Sequence, residues 1–231
     1  MARVFLEVGH GGSDPGAVGN GLKEKNLNLV IAKAAAAELE RHGVQVKLSR
    51  KKDEKDPLEE AIRECNAYDP DLAAGIHNNA GGGDGAEVYH TIYGGTGKTL
   101  AQNILTQIVK LGQNSRGIKT KKNSQGKDYF GFIRQTKAPA VIVECAFVDN
   151  KKDSKIVDTK QEQQAMGVAI AKGILQTLDI PYQGQEAEAV YRVLDGEDKQ
   201  VGAYGEVAGA FDKVKQLLKS GGIAKITYGR K

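Results

Sequence analysis

Apolar positions along this chain alternate between two periods. The stretch RVFLEV, Arg3 to Val8, is a short apolar run of the kind a buried strand makes. From Asn26 to Arg41, Leu27, Val30, Ile31, Ala34 and Ala35 recur at helical spacing, and Gly43 ends the helix. A glycine-rich loop joins the two. Val44 to Ser49 alternates as a strand, and DPLEEAIRECNA then predicts a helix with Asp56 as N-cap, Pro57 in the first turn and Glu59 at the capping-box position. DLAAGI leads into His77, AEVYHTIY has strand character, and Gly97 to Leu111 places Leu100, Ile104, Ile108 and Leu111 on one stripe. APAVIVECAFV is the most apolar run, and a last long helix is predicted over Gln161 to Leu178, with Met166, Ile170 and Ile174 on one face. Repeated strand and helix units predict an α/β fold: a mostly parallel twisted sheet with helices on both faces.

That pattern changes near Ile180, so residues 1–180 are expected to form one domain and PYQGQEAEA, residues 181–189, a linker. Residues 190–231 predict a small α+β module: a hairpin of Tyr191 to Leu194 and Gln200 to Tyr204 around DGEDK, a helix from Val207 to Leu218 and a closing strand from Ile223 to Tyr228. Such a unit is too small for a large active site and reads as a binding or assembly module.

Composition narrows the class. The chain has 231 residues, 40% hydrophobic and 27% charged, enough for one substantial core and a small second module. MARVFLEVGH lacks the features of a signal peptide, and no apolar run approaches the roughly 18 residues of a membrane helix. Synthesis in the cytoplasm without membrane insertion is therefore expected. Cys65 and Cys145 are too few for a disulfide framework and read as core thiols. The net charge of +4 is spread along the chain, which on charge alone leaves both nucleic acid and an anionic wall polymer open as partners.

In an open α/β sheet ligands bind outside the carboxyl ends of the strands. His10 follows the first apolar run, His77 follows DLAAGI, Glu144 lies in or at the end of APAVIVE, and Glu24 stands where the first helix begins. Two imidazoles and a carboxylate around Zn²⁺ leave a position open for water, and a further carboxylate can take that water's proton. This chemistry assigns His10, Glu24 and His77 to the metal and Glu144 to the base. The long intervals between them, unlike a compact HExxH, add little support. A histidine after a glycine turn commonly just caps a carbonyl, and His77 between Ile76 and Asn78 has an ordinary loop reading as well. Glu144 differs, because an ionised carboxylate in AVIVECAFV carries a severe desolvation cost unless a cation meets it. His42, at a helix C-terminus, reads as structural, and His90 in VYHTIY is a spare ligand candidate. YGGTGKTL is a decoy: a phosphate-binding GxxxxGKT needs glycine where Ile92 stands, and a glycine turn with Thr96 capping a helix is the simpler account.

VGHGGSDPGAVGNGLKEKNLNL, GIHNNA and APAVIVECAFVDN together resemble the three signature blocks of zinc-dependent N-acetylmuramoyl-L-alanine amidases, the group that includes bacterial autolysins and phage endolysins. The resemblance covers about residues 3–179, with LSRKKDE, RGIK and FGFIRQTKAPAV as further landmarks; Gly75 and Asn78 depart from the commoner serine and small residue. It implies zinc held by His10, Glu24 and His77, Glu144 as the catalytic residue, and peptidoglycan as substrate, cut at the amide between N-acetylmuramic acid and L-alanine. Arg134 is placed to pair with Glu144, to orient substrate or to make a structural ion pair. Asn79 is placed to orient His77, with a plain turn role as the alternative. The tail, YRVLDGEDKQVGAYGEVAGAFDKVKQLL, is similar to half of a SPOR-type wall-binding repeat. It is expected either to pair with a second copy as a homodimer or to pack against its own catalytic domain. Nucleic acid is then not an expected partner, and release to the wall by a holin or lysis is expected. The competing readings are a zinc peptidase of stem peptides and a non-catalytic wall-binding protein.

Overall fold

Each apolar run near the amino end becomes a strand of one sheet, and the stripes between them become the helices that cover it. The computed structural model describes residues 1–184, 189–197, 199–204, 207–219 and 223–230. Contacts divide the chain into two units, Met1–Tyr182 and Gln183–Lys231. Residues 185–188 of the expected linker, and Asp198 of the expected hairpin turn, lie outside the described residues.

In the first unit the order is β1 (Arg3–Val8), a small hairpin β2 (Val18–Gly19) and β3 (Leu22–Lys23), α1 (Glu24–Arg41), β4 (Gln45–Leu48), α2 (Leu58–Tyr68), β5 (Leu72–Asn79) and β6 (Ala86–His90). Then follow α3 (Thr96–Val109), β7 (Ser115–Lys119), the short α4 (Gly131–Gln135), β8 (Ala140–Phe147), a 3-10 turn (Asp153–Ile156) and α5 (Lys160–Thr177). The six-stranded sheet has the order β4-β1-β5-β8-β6-β7. Every neighbouring pair is parallel except β6 with β8.

Two expected caps are corrected. The helix α2 starts at Leu58 with Pro57 as N-cap and no side-chain cap bond, because Asp56 instead accepts a 2.6 Å hydrogen bond from Ser49 Oγ. At α3 the N-cap is Gly95, with φ 67°, a backbone shape that suits glycine and leaves Thr96 as the first helical residue. By contrast α5 carries a full capping box between Thr159 and Glu162.

The two faces of the sheet are covered unequally. On one, α1, α3 and α5 bury Val4, Leu6, Ile76, Val88, Val141 and Val143 in a continuous core. The helix α5 approaches closely enough that a Cβ on Gly173 would stand 2.4 Å from Ile104 Cα. On the other face, α2 and α4 cover only one end of the strands, where Phe5, Ala73, Ala140 and Ile142 pack with Ile62, Cys65 and Phe132. Period-two alternation carries that same face on to Glu7, His77 and Glu144, which no helix covers. Both cysteines are free and buried, as core thiols.

The second unit is a three-stranded antiparallel sheet, β10 (Gln200–Tyr204), β9 (Ala189–Asp195) and β11 (Ala224–Arg230) in that order, with α6 (Val207–Lys219) between β10 and β11 in sequence. Val193 and Ala210 are buried in it. No helix among the described residues is long and apolar enough to cross a membrane.

Candidate active site

The carboxyl ends of β1 and β5 and the first turn of α1 meet at one point. The chain leaves β1 at Gly9 and turns at His10, whose φ of 65° lies in the left-handed region. For a histidine this is a strained conformation, of the sort found where a side chain must be aimed. Gly9 has no room for a side chain, since a Cβ there would stand 2.1 Å from the His77 ring. A Cβ on Gly16, at φ 63°, would stand 2.5 Å from Glu24 Oε2. These glycines are therefore what lets the two histidines and the glutamate approach.

Buried Arg50 ties the region together, donating from Nε to Val8 O at 2.9 Å and from Nη2 to Lys25 O at 2.7 Å. It thus joins the end of β1 to the start of α1. Lys25 closes the loop from outside, with Nζ donating to Gly12 O at 2.8 Å and to Asp53 at 2.7 Å.

His10 Nε2 lies 3.2 Å from Glu24 Oε2, and His77 Nδ1 lies 3.0 Å from Glu24 Oε1. One ligand atom from each of His10, Glu24 and His77 falls within 4.8 Å of the others. The nitrogens facing away are also held: His10 Nδ1 is 2.8 Å from Asp14 Oδ2, and His77 Nε2 is 3.1 Å from Glu7 Oε2. A histidine whose far nitrogen rests on a carboxylate has a fixed ring orientation and a more basic near nitrogen, the usual setting of a metal-ligating imidazole. Gly75 makes the Glu7 contact feasible, because a Cβ at that position would stand 2.6 Å from Glu7 Oε2.

Electrostatics fit a cation in the middle. The hydrogen bond to Glu24 is the main cause that lifts the His10 pKa to about 9. Burial lowers the His77 pKa, but Glu7 and Glu24 outweigh it and hold that ring well above its usual value. Burial acts to raise Glu24, yet the two imidazoles outweigh it and keep the carboxyl well below its usual range. Without a metal the cluster neutralises itself with protons; two imidazoles and a carboxylate are also the donor set of a zinc site with an open position. The residues present fit that ion.

Glu144 sits beside this cluster, in register with His77 across the β5 and β8 pair. Its Oε2 is buried with no hydrogen-bond partner among the described residues. Burial pushes its carboxyl up to about 7, against the lowering effect of His77. A cleft of about 370 Å³ opens over His10, His77 and Glu144 and is walled by Pro57, Leu58, Phe130, Phe132 and Ile142.

The other sequence candidates lie elsewhere or act differently. Arg134 does not pair with Glu144: its Nη1 donates to the Asp128 and Tyr129 carbonyls at 2.6 and 2.8 Å, bracing the loop before α4. Asn79 does not orient His77; its Nδ2 donates to Glu87 Oε1 at 3.2 Å and its Oδ1 accepts from Ala80 N. His90 is buried on β6 with Nδ1 2.7 Å from Thr91 O, and His42 caps α1 with Nδ1 2.8 Å from Glu38 O. The sequence pattern does not single out Glu7, Asp14, Arg50 or Glu87. For Glu7 the signal is present, a carboxylate inside the apolar run RVFLEV, the same feature that marks Glu144.

Residues 4–176 match the Amidase_3 family, N-acetylmuramoyl-L-alanine amidase. The N-acetylmuramoyl-L-alanine amidase CwlM of Bacillus licheniformis is 33% identical over 234 residues, spanning 99% of this chain and 85% of that protein. The endolysin of Bacillus phage SPP1 is 34% identical over 186 residues, 77% of this chain and 66% of the endolysin. Among solved structures, Cwp6 from Clostridium difficile superposes with a TM-score of 0.75 at 39% identity, over 77% of this chain but 29% of Cwp6. The catalytic domain of CwlV, N-acetylmuramoyl-L-alanine amidase from Bacillus (Paenibacillus) polymyxa var. colistinus, gives 0.71 at 27% identity, over 78% of this chain and 100% of that domain. The converging histidines, the sheet that presents them and these matches lead to one assignment: this chain belongs to the N-acetylmuramoyl-L-alanine amidase family.

Proposed function

We propose that this protein hydrolyses peptidoglycan at the amide joining the lactyl group of N-acetylmuramic acid to L-alanine. The observation that carries the reading is the buried, unpartnered Glu144 Oε2 beside the His10, Glu24 and His77 cluster, in a chain of this family. His10 through Nε2, His77 through Nδ1 and Glu24 would hold Zn²⁺. When bound, the ion supplies a Lewis acid for the scissile carbonyl and lowers the pKa of water to near neutrality.

The protein's own groups do the rest. Asp14 and Glu7 keep the two rings in the tautomers that leave Nε2 of His10 and Nδ1 of His77 unprotonated. Glu144, ionised, takes the proton of the attacking water at Oε2 and passes it to the departing alanine nitrogen. The apolar wall from Leu58 to Ile142 excludes bulk water from one side of the bond under attack.

The C-terminal unit is assigned a supporting role, as a SPOR-like module that binds the wall or pairs with a second copy. In support, Phe211, Leu218 and Ile223 are large apolar side chains left exposed. Action on the wall would follow release by a holin or by lysis. The test of the reaction is a product assay on purified wall with zinc-loaded protein. New N-terminal L-alanine is the expected product. Other new amines would identify a stem-peptide peptidase instead, and co-sedimentation with wall without any product would identify a binding protein.

A further inference from the structure

Next to Glu144 lies a second polar cluster that the reaction does not use. On β6, Glu87 stands directly opposite Glu144 and points to the same face, as antiparallel partners do. Its residue exposure is 3%, and both carboxylate oxygens are engaged. Oε1 accepts from Tyr89 OH at 2.9 Å and from Asn79 Nδ2 at 3.2 Å. Oε2 accepts from Arg116 Nε at 2.7 Å and from Lys119 Nζ at 2.5 Å. Two cations thus converge on one buried anion at the edge of the sheet. Arg116 and Lys119 keep 36% and 32% of their side-chain surface exposed. The Arg116 guanidinium is held in orientation by Glu87 on one side and by the Phe147 ring, 4.9 Å away, on the other. Its Nη1 and Nη2 have no hydrogen-bond partner among the described residues. A fork anchored through Nε with its outer nitrogens open is prepared for a carboxylate.

Lysines on an edge strand commonly only guard the edge against pairing. Here Glu87 turns both cations onto the face that carries Glu144. From β8 to β7 is two strand spacings, about 10 Å, the span of about three extended residues. The N-acetylmuramic acid side of the scissile amide is an uncharged sugar; the alanine side continues into a stem peptide bearing carboxylates or their amides. Charge complementarity favours the peptide over β6 and β7.

We propose that Arg116 and Lys119, positioned by Glu87, form a subsite for a free carboxylate of the stem peptide two to three residues beyond the scissile bond. This rests on the amidase reading and adds a preference within it: unamidated over amidated stems.

The experiment uses the zinc-loaded full chain and two soluble probes, N-acetylmuramoyl-L-alanyl-γ-D-glutamyl-L-lysine with free carboxyls and the same compound amidated. Release of the tripeptide with its new N-terminal alanine gives kcat/KM for each, and calorimetry gives the affinity of the free-acid and amidated tripeptides that lack the sugar. The expected preference for the free acid is roughly 10- to 100-fold, the range of a charge-assisted pair, and it shrinks as salt is raised. In Arg116→Gln/Lys119→Gln the ratio falls to near one; in Arg116→Lys, which retains the charge and loses the fork, part of it returns. A wild-type ratio near one overturns the subsite, as does a double variant that slows both probes while keeping the ratio. If no tripeptide is released from either probe yet the free-acid tripeptide binds more tightly, the amidase reading falls and the subsite stands. Hydrolysis of both probes without preference removes the subsite and leaves the amidase reading in place. Should the double variant fail to fold, the ratio and its salt dependence in the wild type still decide.

Discussion

On the proposed reading, replacing Glu144 separates metal binding from turnover. Glu144→Gln keeps the shape of the site and leaves His10, Glu24 and His77 untouched. It is expected to retain zinc while exposure of new N-terminal alanine slows roughly 10²- to 10⁴-fold, the contribution of a positioned general base. Parental activity in that variant would remove Glu144 from the chemistry. Glu7→Gln tests the support of a ligand instead. It weakens the anchor on His77 Nε2, and zinc affinity measured by chelator competition is expected to drop about 10- to 100-fold; unchanged affinity would make Glu7 a bystander. These two glutamates also show what single residues reveal before folding. Each sits in an otherwise apolar strand, so the cost of burying its charge is visible in the sequence for Glu7 as much as for Glu144. Asp14 and Arg50 have no such mark, one being an exposed loop carboxylate and the other a residue after a strand whose carbonyl partners exist only in the folded chain. For Arg134 and Asn79 the position near the site is legible but the direction of the side chain is not. Each spends its donors on a nearer partner, the loop carbonyls for one and Glu87 for the other.

At the scale of elements, the long amphipathic stripes are the most legible part, because α1, α3 and α5 bury a whole face each. Strand direction is harder. The connection from Ala80 to Gly85 is too short for the crossover that parallel strands need, so β6 turns back and runs antiparallel to β8 while β8 lies parallel to β5. That reversal brings Glu87 opposite Glu144. Cap residues depart from expectation where a side chain has a better partner, as with Asp56 and Ser49. Close helix packing gives a prediction at this scale. Gly173→Ala gains about 1 kcal/mol of helix propensity, but the added methyl would lie 2.6 Å from Ile104 N and 2.4 Å from its Cα. Overpacking against backbone costs about 1 to 3 kcal/mol, so the variant is expected to melt below the parent. An equal or higher Tm would mean that α3 and α5 separate more easily than their contacts indicate.

In the whole molecule, the sheet joins residues from four distant parts of the chain, and metal affinity therefore reports on the fold. The proton that His10 holds up to about 9 in the metal-free protein must leave when an ion binds. His77, held well above its usual value, must give up its proton as well, so zinc affinity is expected to rise with pH through about 9, by up to about tenfold per unit for each proton displaced. Competition titrations across that range check this, and a flat profile would exclude His10 as a ligand. The most direct measurement of the central claim is a titration of zinc into the metal-free full chain, with release of N-terminal L-alanine from purified wall followed at each addition. Activity that starts near zero, rises in proportion to bound zinc and saturates at one ion per chain is the predicted result. Undiminished wall digestion by the metal-free protein, or activity indifferent to the zinc bound, would contradict it.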